Sequence, residues 1–81
     1  MPYIPKEDRL NLKESSNLTE GELNYLITRL LNDQINRKGL KYATINSLIG
    51  TLECAKLELY RRIAGPYEDK AVERNGDVYD S

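Results

Sequence analysis

TINSLIGTLECAKLELYRRIA, residues 44–64, decides how this chain folds. Ile45, Leu48, Ile49, Leu52, Ala55, Leu59 and Ile63 recur at three- and four-residue spacing, the period of one helix face. A second apolar set, Cys54, Leu57, Tyr60 and Ala64, lies beside that stripe. A helix packed on a single neighbour needs one stripe only, so two stripes predict burial on two sides. At 1.5 Å per residue such a helix is roughly 30 Å long. Thr44 is placed to cap its start, with the hydroxyl accepting a backbone N–H two or three residues on. Gly50 weakens a helix interior by about 1 kcal/mol relative to alanine. A close helix crossing would account for it, and so would an unhelpful glycine.

Upstream, Thr19-Glu20-Gly21-Glu22 reads as a capping box, in which threonine and the glutamate three residues on satisfy each other's backbone N–H groups. Leu23, Leu26, Ile27, Leu30, Leu31 and Ile35 follow as a single clean stripe. Arg37 and Lys38 suit the negative pole of the helix, and Gly39 suits a cap with positive φ. These signals predict a helix over 20–38. The connection to the central helix is short, which predicts an antiparallel helix pair, 20–38 with 44–64.

The ends are less patterned. Residues 1–18 read as an N-terminal arm, with a short helix from Pro5 to about Lys13 carrying Glu7 and Asp8 in its first turn and a linker at Ser15-Ser16-Asn17. Gly65-Pro66 either ends the central helix or kinks it, because proline lacks the N–H and clashes with the turn before it. Pro66 also suits the first position of a C-terminal helix reaching about Arg74, with residues 75–81 as a loose tail. The expected fold is therefore all-α, a small helical bundle forming one domain over 1–81.

Composition narrows the function. A chain of 81 residues buries only about 60–65% of its unfolded surface, so one core is marginal. Cys54 is the sole cysteine and histidine is absent, which rules out an internal disulfide and a thiolate zinc site. Self-association remains as a source of stability, with Cys54, Leu57, Tyr60 and Ala64 as the candidate interface. A net charge of −1, from 12 basic and 13 acidic residues, argues against nucleic acid as partner. No apolar run approaches the roughly 18 residues of a membrane span. MPYIPKEDR has no apolar signal region, and a lone cysteine fits a reducing compartment, so the expected location is the cytoplasm.

No catalytic motif is recognisable, and neither a cofactor nor a metal is expected. Glu53 and Glu58 are five apart and do not share a helix face, while Glu68 and Asp69 are adjacent and diverge. A magnesium-dependent nucleotide hydrolase therefore has the weakest support. Arg61 and Arg62 are expected as cations at a helix end, paired locally with Glu58. The alternative is a small-nucleotide site at a subunit interface, where tyrosine stacks on a base and arginine forks onto phosphate. Its candidate residues are Tyr60, Arg61, Arg62, Tyr67, Glu68, Asp69 and Lys70. Cys54 is expected as a buried, inert thiol, because no histidine is available to activate it.

Several strings resemble one family. GELNYLITRLL at 21–31, YATIN at 42–46, LECAKLELYRR at 52–62, PYEDK at 66–70 and NGDVY at 75–79, with the opening MPYIPKEDR, are similar to a family of small bacteriophage and bacterial proteins that form a domain of unknown function. The resemblance covers nearly the whole chain. It implies a phage or prophage setting, a product in the host cytoplasm and a host or phage protein as partner. It assigns no activity, so no residue takes a role from it.

Overall fold

The structure, a computed structural model, describes residues 5–10 and 17–80. Most of these residues are helical and none is in a strand, so the fold is all-α. The helices are α1 (Lys6–Arg9), α2 (Glu20–Lys38), α3 (Tyr42–Leu59) and α4 (Gly65–Asn75), with a π-helical segment, Tyr60–Ala64, between the last two. The chain divides into two units, Met1–Ile45 and Asn46–Ser81.

In the first unit, α2 begins and ends at the predicted residues. The Thr19 hydroxyl accepts from the Glu22 N–H at 3.2 Å, and the Glu22 carboxylate accepts from the Thr19 N–H at 2.9 Å. Both halves of the capping box are therefore formed. Gly39 has φ 100 and returns its N–H to Ile35 O, the termination expected of glycine. Pro5 immediately precedes α1, and the Arg9 guanidinium lies 5.0 Å from the centre of the Tyr25 ring, a cation–π contact joining α1 to α2. The rest of the short helix expected to reach Lys13, and Ser15 and Ser16 of the linker, lie outside the described residues.

The start of α3 corrects one expectation. Thr44 does not cap the helix; the helical run begins at Tyr42, and the Ile45 N–H already donates to Lys41 O at 3.1 Å. Only Leu40 and Lys41 separate Gly39 from the helical run, so the helix starts before the threonine is reached. Thr44 is instead the one buried residue among those described, 6% exposed.

In the second unit, one of the two outcomes expected at Gly65-Pro66, an end to the helix, is also corrected. The backbone stays helical from α3 through the π segment into α4. The Gly65 N–H reaches five residues back to Tyr60 O, a wider turn than the α-helix makes. This widening lets the chain carry Pro66 at the head of α4, where an unbonded N–H is normal. The helix then ends at Asn75, where Gly76 (φ 87) donates to Val72 O at 2.8 Å. Asn75, assigned to the tail by the sequence, is thus its last helical residue.

No apolar side chain among the described residues is buried. Leu23, Ile27 and Leu30 of α2 are exposed, as are Ile49, Leu52, Leu57 and Leu59 of α3. Both helices carry apolar stripes that their own unit does not cover.

Candidate functional site

Chemistry-bearing side chains gather where α3 passes through the π segment into α4. On one side, Cys54, Leu57, Glu58, Tyr60 and Arg61 line a shallow, mainly apolar depression. Cys54 and Leu57 are one helical turn apart and Tyr60 follows in the widened turn, so three of the four expected interface residues converge. Ala64, the fourth, is half-buried and is not among the residues lining the depression. Leu57 and Tyr60 keep 56% and 57% of their surface in water. Cys54 is exposed, which corrects the expectation of a buried thiol. The expectation rested on apolar neighbours along the helix, but those neighbours are themselves unburied.

Glu58 organises the cations beside this depression. It accepts from Arg61 at 2.8 Å and lies 3.7 Å from Arg62, the local pairing expected from the spacing. Lys56 pairs with Glu53 at 3.2 Å. All these groups are mostly in water, where such pairs contribute under about 1 kcal/mol each.

A second shallow depression is lined by Arg62, Ile63, Pro66, Tyr67 and Lys70. It brings two cations and a tyrosine ring together at the head of α4. The seven residues proposed from the sequence for a nucleotide site therefore separate. Arg62, Tyr67 and Lys70 share one depression, Tyr60 and Arg61 the other, and the Asp69 side chain makes no hydrogen bond or ion pair among the described residues.

Glu68 belongs with Tyr60. The Tyr60 hydroxyl donates to the Glu68 carboxylate at 2.6 Å, across eight residues. Both residues are among the sequence candidates for a nucleotide site, where nothing pairs them with each other. Eight residues are roughly 12 Å of rise in an α-helix, beyond the neighbours that helical spacing suggests. The length of tyrosine and the backward lean of a helical glutamate close that gap.

The Tyr60 hydroxyl is held above its ordinary value of 10.0, first because it donates to the Glu68 carboxylate, then through that carboxylate's negative charge, with smaller contributions from partial burial and from nearby Tyr79. The sign follows. The folded state favours the neutral phenol, so the stabilisation is complete below pH 10 and is lost as pH rises through the raised value. In an ultraviolet titration of tyrosine ionisation, the difference between wild type and Tyr60→Phe is expected to titrate above the ordinary phenol value of 10.0. A difference curve centred at the ordinary phenol value would show that the bond does not persist in solution.

Among the described residues, no three acidic or cysteine side chains are grouped as a metal would need. No helix among them is long and apolar enough to cross a membrane. The sequence model of the family described as Domain of unknown function (DUF6899) matches residues 1–78. The chain belongs to this family. No curated protein and no solved structure matches it. Membership brings no activity with it, so the roles of residues 54–79 rest on their own geometry.

Proposed function

We propose that this DUF6899 protein is a small helical interaction protein that self-associates and binds another protein, of host or phage origin, in the cytoplasm of a phage- or prophage-carrying cell. The observation that carries the reading is the uncovered apolar depression of Cys54, Leu57 and Tyr60 on a helix that is apolar on a second side as well. An exposed leucine is ordinary; an apolar concavity on a helix that finds no cover in its own unit supports the reading of a binding surface. Local salt bridges rim it, as polar groups rim protein interfaces.

A second reading is supported by Arg62, Tyr67 and Lys70 around one depression, a set able to hold the phosphate and base of a small nucleotide. Two measurements separate the readings. Light scattering across a range of protein concentrations is expected to give a dimer or larger species, and thermal shift with mononucleotides and cyclic dinucleotides is expected to give no stabilisation. A monomer at all concentrations would remove self-association. A nucleotide-dependent shift abolished by Lys70→Ala would favour the second reading.

A further inference from the structure

The helical ladder is thinnest at Gly65–Pro66. Pro66 has no N–H to donate, and the π segment before it already replaces the tight α turn by a wider one. Gly65 brings no side chain to stiffen the backbone. The ion pairs of Glu58 with Arg61 and Arg62 lie wholly on the N-terminal side of this point and do not bridge it. One side-chain bond does bridge it, the 2.6 Å hydrogen bond from Tyr60 to Glu68. A hydroxyl donating to a carboxylate is shorter and stronger than a neutral pair. It joins the first residue of the π segment to the first turn of α4.

We propose that Tyr60 and Glu68 form a clasp that keeps the helix continuous across Gly65–Pro66, and that releasing it frees residues 66–80 to swing about that junction as a hinged arm. Glycine, proline and π turns are the recognised sites at which long helices bend, and all three coincide here. The clasp is also placed to be released by binding. Tyr60 lines the depression of Cys54 and Leu57, so a molecule seated there competes for its ring or its hydroxyl. Both groups of the clasp belong to one chain, whereas its release by binding rests on the proposed interaction surface, which Tyr60 shares.

Amide hydrogen exchange followed by NMR tests it, with all proteins at one concentration. Tyr60→Phe deletes only the hydroxyl. It is expected to speed exchange of the amides of 67–71 about tenfold while those of 46–58 stay within about twofold. Glu68→Gln, which keeps an acceptor without the charge, is expected to give a smaller acceleration of the same amides. In a Pro66→Ala background, where the missing N–H is restored, Tyr60→Phe is expected to change 67–71 by less than about twofold. Unchanged exchange at 67–71 in Tyr60→Phe would overturn the clasp. So would equal acceleration of 46–58, because the hydroxyl would then support the whole helix. An undiminished effect in the Pro66→Ala background would reduce the bond to an ordinary surface contact.

Discussion

On the proposed self-association, Leu57→Glu is expected to lower the solution mass to that of a monomer at micromolar concentration while leaving helix content intact. Leu57 lines the depression between Cys54 and Tyr60 and is 56% exposed in the single chain. Covering a leucine contributes about 1.5–3 kcal/mol, and an unpaired carboxylate put in its place adds a penalty of its own. A two-fold interface presents the substitution twice. At about 1.4 kcal/mol per decade, the dissociation constant should rise at least about 100-fold. Glutamate is a good helix former, so far-UV circular dichroism should be retained where the mass falls. Leu57→Met preserves volume and apolarity and should keep the assembly. If Leu57→Glu runs at the wild-type mass, this face does not hold the copies together.

What the sequence disclosed and what it concealed divide along physical lines. The bounds of α2 were legible because the signals are local: Thr19 and Glu22 lie one turn apart, the leucines keep one period, and Gly39 supplies the positive φ at the end. Each acts through the chain immediately beside it. The family was legible as well, as a domain of unknown function whose model matches residues 1–78. Thr44 misled because a capping residue is recognised by what precedes it, and two residues after Gly39 proved enough to start the helix early. Cys54 misled for a different reason. Apolar neighbours along a helix imply burial only if something covers that face, and in this structure nothing in its own unit does.

The candidate site shows the same division. Glu58 with Arg61 and Arg62 follows from three- and four-residue spacing and is found as expected. Tyr60 with Glu68 does not, since it depends on a widened turn that no residue pattern announces. The grouping of Arg62 with Tyr67 and Lys70, apart from Tyr60 and Arg61, likewise depends on how the chain passes Pro66. The proline rule used on the sequence assumes the α ladder, with each N–H reaching four residues back. When the ladder reaches five back, the rule no longer predicts an end.

That same junction yields the second large effect, a gain of stability from Pro66→Ala. In a helix interior, proline is about 3 kcal/mol worse than alanine, through its missing N–H and its clash with the carbonyl four residues before, that of Arg62. Here part of the penalty is already relieved, because the Gly65 N–H bonds to Tyr60 O and Pro66 sits at the head of α4. The remainder should appear as about 1–2 kcal/mol of added stability. For a domain of this size that is a rise in Tm of roughly 5–15 °C, read at 222 nm with protein concentration held fixed. Backbone chemical shifts should show residues 60–64 relaxing toward α geometry. If Tm does not move, the π turn already absorbs the whole cost of the proline. If Tm falls, the widened turn stabilises contacts that an α turn cannot make, and those contacts would centre on Tyr60, the residue that both begins the π segment and lines the apolar depression.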